Sequence, residues 1–120
     1  MTSILAVDDS PSMRQMVSYT LESAGYDVIL ANDGMTALDI AEKTSVNLVI
    51  TDVNMPNMDG ISLVRQLREK QDYRFTPILI LTTESSTEKK MLGKEAGATG
   101  WIVKPFDPDQ LLKTLQRVLD

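Results

Sequence analysis

The 120-residue sequence has no cysteine, no histidine and few aromatic residues: three Tyr, two Phe and one Trp. Without cysteine there is no disulfide framework and no thiolate metal site, and without histidine the usual zinc ligand and general base are missing. Any chemistry therefore falls to carboxylates, hydroxyls and lysine. Positive charge is also scarce, since 12 Lys and Arg face 17 Asp and Glu for a net charge of −5. A phosphate-backbone surface needs clustered cations, so nucleic acid is not an expected partner. No apolar run approaches the roughly 20 residues of a membrane span. The amino terminus MTSILAVDD has neither the basic start nor the long apolar core of a signal peptide. A cytoplasmic protein without membrane insertion is expected.

What is present is enough apolar material for a core, 42% of residues, in a chain of about one domain's length. One domain over residues 1–120 is expected, without repeats, linkers or low-complexity segments. "SILAVD" (3–8), "DVILA" (27–31), "NLVIT" (47–51), "PILILT" (77–82) and "GWIVK" (100–104) are short and aliphatic, and too continuous to have a wet face. They are expected to be five buried strands. Between them, Ser10 reads as a helix N-cap with Pro11 at the first helical position. Met13, Met16, Val17, Thr20, Leu21 and Ala24 then keep helical spacing until Gly25, with Met13 and Met16 assigned to the core. Asp107, Pro108 and Gln110 suggest a capping box ahead of Leu111, Leu112, Leu115, Val118 and Leu119. Further helices are placed near 34–43, 60–70 and 86–96. Alternation of strand and helix predicts an α/β fold, doubly wound, with a five-stranded parallel sheet and right-handed crossovers. Tyr73 and Phe75 are expected to pack the loop before the fourth strand.

In such a sheet, ligands bind outside the carboxyl ends of the strands, at the topological switch point. The first strand ends on Asp8 and Asp9, the third on Asp52, the fourth on Thr82 and the fifth on Lys104 followed by Pro105. Three carboxylates in one pocket repel unless a cation neutralises them. With oxygen ligands alone, Mg²⁺ is favoured, leaving room for a phosphate oxygen. Lys104 supplies a compact charge for the same phosphate, and the Thr82 hydroxyl a donor. This is a phosphoryl-transfer constellation, in which Asp52 can serve as the nucleophile that keeps the phosphoryl group. Each residue alone has a plainer reading: Asp9 as a turn former, Thr82 as a strand-end hydroxyl, Lys104 as a surface lysine. Their meeting at one sheet edge is what favours chemistry.

"AVDDS", "DVNMPNMDG", "LTTES" and "GWIVKPF", in this order and spacing, resemble the receiver domain of two-component response regulators, above all the single-domain, CheY-like chemotaxis type. The resemblance covers the whole chain and no output domain. It implies a flavodoxin-like fold of strand order 2-1-3-4-5, and a phosphohistidine of a histidine kinase as donor to Asp52. It implies Mg²⁺ held by Asp8, Asp9, Asp52 and the carbonyl of Asn54, a phosphoryl group bound by Thr82 and Lys104, and a cis bond before Pro105. It also implies a switch residue at position 101 that moves inward with Thr82. Trp101 is larger than the usual tyrosine or phenylalanine there and could instead be a static plug.

The helix "STEKKMLGKEAG" has few apolar residues at helical spacing and carries Gly93 inside, so it should be the least firmly held. The face of the fourth helix, fifth strand and fifth helix is therefore expected to meet a downstream effector, with a flagellar motor switch one candidate and a monomeric state assumed. A phosphate sink and a receiver taken from a longer transcription regulator are the alternatives. Asn54 and Glu84, polar and beside the site, are expected to tune dephosphorylation, unless Glu84 is simply a solvated loop acid. A flavin-nucleotide binder is disfavoured by two acids in the first loop. A haloacid dehalogenase-type hydrolase would need an acid where this chain has Asn54. The expectation is not an enzyme acting on external substrates, but a receiver that catalyses only its own phosphorylation and dephosphorylation.

Overall fold

Aliphatic side chains in an extended run point alternately to opposite faces, so a strand covered by helices on both sides must be apolar throughout. The computed structural model, which describes residues 2–83 and 86–119, follows that rule. Strands β1 (Ser3–Val7), β2 (Asp27–Ala31), β3 (Leu48–Thr51), β4 (Ile78–Thr82) and β5 (Gly100–Val103) alternate with helices α1 (Pro11–Ser23), α2 (Gly34–Lys43), α3 (Gly60–Glu69), α4 (Thr87–Ala96) and α5 (Pro108–Leu119). All neighbouring strands pair in parallel, in the order β2-β1-β3-β4-β5. The predicted doubly wound sheet is the observed one.

The alternation divides the core into two layers. Leu5, Val7, Val49, Ile78 and Ile80 face one side of the sheet and meet Ala37, Ala41, Leu63, Leu67 and Ala96. Ile4, Ala6, Leu48, Ile50, Leu79 and Leu81 face the other and meet Val17, Leu21, Leu111 and Leu115. Helix ends follow local chemistry: the Ser10 hydroxyl accepts from the Met13 N–H at 3.3 Å, Asp33 from Thr36 at 2.8 Å and Asp59 from Ser62 at 2.7 Å. Gly25 has φ +94, as a left-handed stop after α1 requires. The Lys104–Pro105 bond is cis, as the family resemblance implied.

Several local expectations need correction. The edge strands β2 and β5 are not buried: Leu30 is 39% and Val103 42% exposed, because an edge strand lies beyond the full cover of the helices. Met13 packs partly into the core, but Met16 is 51% exposed; the buried stripe of α1 is narrow, running through Val17, Thr20 and Leu21. Tyr73 is buried, whereas Phe75 is exposed, since the short 3-10 turn Gln71–Tyr73 turns only the tyrosine inward. The capping box before α5 is half made. Asp107 accepts from the Asp109 N–H at 3.0 Å, with no returning bond from Gln110 among the described residues.

Helix α4 is held at one end. Its buried residues are Gly93 and Ala96, both in its second half. A β-carbon on Gly93 would come within 2.9 Å of Ile80 and 3.0 Å of the Trp101 ring, so this glycine makes room for the indole as well as weakening the helix. At the helix end the Arg68 guanidinium donates to the carbonyls of Gly97 at 2.9 Å, Tyr73 at 2.7 Å and Thr76 at 2.6 Å. Its burial, with no carboxylate beside it among the described residues, lowers the guanidinium pKa.

Candidate functional site

The parallel pairing brings the polar strand ends to one edge. After β1 the chain turns into α1, and Asp8 is fixed by that turn: its Oδ1 accepts from the Ser10 N–H at 2.9 Å, and its own carbonyl accepts from Arg14 at 2.7 Å. After β3, the Asp52 N–H donates to the Val7 carbonyl at 2.9 Å, extending the β1–β3 pairing by one residue. Its Oδ1 accepts from the Val53 N–H at 2.7 Å. At the ends of β4 and β5, the Lys104 N–H donates to the Thr82 carbonyl at 2.8 Å. Thr82 is fully buried.

Lys104 closes the site. Its ammonium donates to Asp8 Oδ2 at 2.5 Å and to Asp52 Oδ2 at 3.3 Å, with all three side chains about a tenth exposed. Two buried acids around one lysine keep surplus negative charge, and Asp9 adds an exposed third carboxylate. One oxygen from each of Asp8, Asp9 and Asp52 can be chosen so that all lie within 4.8 Å of one another. This oxygen-only donor set, open on the Asp9 side, suits a hard divalent cation that retains waters. The arrangement can hold an ion, expose a carboxylate nucleophile and offer an ammonium on the opposite side of an incoming phosphoryl group.

Of the residues singled out in the sequence, Asp8, Asp9, Asp52 and Lys104 meet here, with Thr82 beside Lys104 through the backbone. Asn54 is exposed on the loop after Asp52. Glu84 lies outside the described residues. Trp101 is half-buried on β5, two register pairs from the Thr82–Val103 end of the β4–β5 ladder, and packs against the core. Its buried indole N–H has no partner among the described residues. Sequence reasoning missed Arg14 and the Asp33–Asn57 pair; the spacing of Arg14 from Asp8 was visible, but an arginine early in a helix carries no distinguishing signal.

The response regulator receiver domain model matches residues 4–116, and the chain belongs to that family. It is 59% identical to the chemotaxis response regulator CheY4 of Vibrio cholerae, covering 98% of both chains with a TM-score of 0.93. It is 40% identical over 116 residues to the alkaline phosphatase synthesis transcriptional regulatory protein PhoP of Bacillus subtilis, covering 97% of this chain and 48% of PhoP. The chain thus spans about half the length of some curated relatives it matches. It also resembles the receiver domain of the sensor histidine kinase PA1611 of Pseudomonas aeruginosa, solved with magnesium in the active-site cleft, at 31% identity and TM-score 0.92 over 98% and 97% of the two chains.

Proposed function

We propose that this receiver is a phosphorylation-activated signalling switch of a chemotaxis system, with Asp52 as phosphoacceptor. The single observation that carries the reading is the Lys104 ammonium set between Asp8 and Asp52 at the switch point. Asp8, Asp9, Asp52 and the Asn54 carbonyl would hold Mg²⁺, a proposal supported by the clustered carboxylates and by the magnesium in the PA1611 receiver. When bound, the ion supplies charge neutralisation for the phosphoryl oxygens. The Asp52 carboxylate attacks phosphorus, the bond from phosphorus to the kinase histidine nitrogen breaks, and that nitrogen keeps the electron pair. Lys104 and the Thr82 hydroxyl receive the charged oxygens, and release of Lys104 from Asp8 is part of the exchange. Asn54, in place of an acid, supports self-phosphorylation and self-dephosphorylation over turnover of an external substrate.

The output is assigned to the α4–β5–α5 face. Its two grooves flank β5: one of about 600 Å³ beside α5, including Trp101, Phe106 and Arg117, and one of about 260 Å³ beside α4, including Lys90, Lys94 and Trp101. Met91 and Val103 are exposed there. A protein effector, with a flagellar switch as the favoured kind, would select the phosphorylated arrangement. The likeness to PhoP favours a second reading, a receiver that works within a longer transcription regulator; a phosphate sink is a third. A monomer in the cytoplasm completes the proposal, consistent with no described helix being long and apolar enough to cross a membrane.

Incubation with acetyl phosphate and Mg²⁺ should add one phosphoryl group to the wild type, read by intact-protein mass. Chelation of Mg²⁺ or Asp52→Asn should abolish it. Stoichiometric labelling of Asp52→Asn would overturn the assignment.

A further inference from the structure

The loop 53–59 carries Asn54 and follows Asp52, and it is braced from outside. The Asn57 side-chain amide donates to Asp33 Oδ2 at 2.7 Å, while Asp33 Oδ1 accepts from the Thr36 N–H at the start of α2. Asn57 itself has φ +69, a left-handed conformation that asparagine tolerates better than most side chains. One residue thus meets a backbone requirement and supplies a donor. The two loops are also in backbone contact, because a β-carbon on Gly34 would stand 2.6 Å from the Met58 carbonyl oxygen.

The loop's other hydrogen bonds stay local: Val53 N–H to the Asp52 carboxylate, Met58 N–H to the Pro56 carbonyl at 2.7 Å, Gly60 N–H to the Val53 carbonyl at 2.8 Å, Leu63 N–H to the Asp59 carbonyl, and Ser62 N–H to the Asp59 carboxylate. Among the described residues, the Asn57–Asp33 bond is the hydrogen bond that ties 53–59 to a second loop. It is charge-assisted, and therefore stronger than a neutral pair.

We infer that Asp33 and Asn57 are positioning residues for the Mg²⁺ site: they fix where the loop presents the Asn54 carbonyl, three residues before Asn57, without touching the ion. The inference rests on the reading of Asp8, Asp9 and Asp52 as metal ligands. Mg²⁺ demands near-ideal geometry, so a carbonyl held loosely contributes little. Groups that orient ligands, when removed, cost roughly tenfold or more in affinity.

The test is a calorimetric titration of the purified chain with Mg²⁺ alone, without phosphodonor. Asn57→Gly keeps the positive φ and deletes the donor, and should raise Kd roughly tenfold. The reciprocal variant Asp33→Asn with Asn57→Asp exchanges donor and acceptor. The new amide at position 33 donates to the new carboxylate at 57, and its oxygen still caps Thr36. Kd should return to within about threefold of wild type, a rescue that general loosening of the loop would not give. An unchanged Kd in Asn57→Gly overturns the inference, as does a weakened Kd that the reciprocal pair fails to restore. Wild type that binds no Mg²⁺ overturns the metal reading itself, an outcome visible before any variant is made.

Discussion

A β-carbon on Gly60 would stand 1.8 Å from the carbonyl oxygen of Asp52. The first residue of α3 therefore rests directly on the backbone of the proposed phosphoacceptor, and its N–H donates to the next carbonyl, that of Val53. Only a residue without a side chain permits this approach. Gly60→Ala should destabilise the fold by about 3 kcal/mol, the upper end for overpacking, because the neighbouring atom is the Asp52 backbone, which must shift. Denaturant midpoints check the loss, and the displaced Asp52 should accept phosphate from acetyl phosphate poorly.

Lys104→Ala leaves Asp8 and Asp52 without their cation. Removing one partner of a buried pair costs about 3 kcal/mol or more, and added Mg²⁺ should recover part of it by neutralising the same acids. Phosphorylation should persist at reduced yield, while the change passed to α4 weakens. Amide exchange in α4 with and without acetyl phosphate reads this directly; a wild-type response in the variant would remove Lys104 from the switch.

For Arg68, the planar fork matters as much as the charge. Lysine cannot reach the Gly97, Tyr73 and Thr76 carbonyls together, so Arg68→Lys should lose about 2 kcal/mol, the value of one or two hydrogen bonds to a charged group. Exchange should rise at Ala96–Ala98 more than at Thr87–Lys90. Equal acceleration along α4 would show that the helix is not anchored at its end.

The lifetime of the phosphorylated state tests Asn54. An exposed polar side chain at this position can hold an attacking water by hydrogen bonds, whereas an apolar one excludes it. Asn54→Met should slow loss of phosphate roughly ten-fold, equivalent to about 1.4 kcal/mol of barrier, and Glu84→Leu should act in the same direction. Decay followed after donor removal would refute both roles if all three proteins lose phosphate at one rate.

Acid sensitivity follows from Asp33. The Thr36 backbone N–H, and then the Asn57 amide, hold its carboxyl below the ordinary 3.8. A depressed folded-state pKa contributes stability above the unfolded value and loses it as pH falls through the folded one. The stability gap between wild type and Asp33→Asn should therefore be constant near neutrality and close below pH 3.8, as thermal melts across that range would record.

Much of this was legible in the amino-acid order because it depends on neighbours in the chain. Aliphatic runs, the Ser10 cap and strict alternation determine which residues end strands, and the doubly wound topology puts those ends together. The placement of Asp8, Asp52, Thr82 and Lys104 at one edge needed nothing more. Other features depend on which distant surface covers a side chain. Met16 has the spacing of a core residue, yet only Val17, Thr20 and Leu21 of α1 are buried; Phe75 stays outside because the turn Gln71–Tyr73 sends only Tyr73 inward. Lys104 finds Asp8 across 96 residues, Asn57 finds Asp33 across 24, and Arg68 finds Gly97 across 29. Such bonds are set by loop paths and sub-ångström fit, quantities that helical and strand periodicity do not encode.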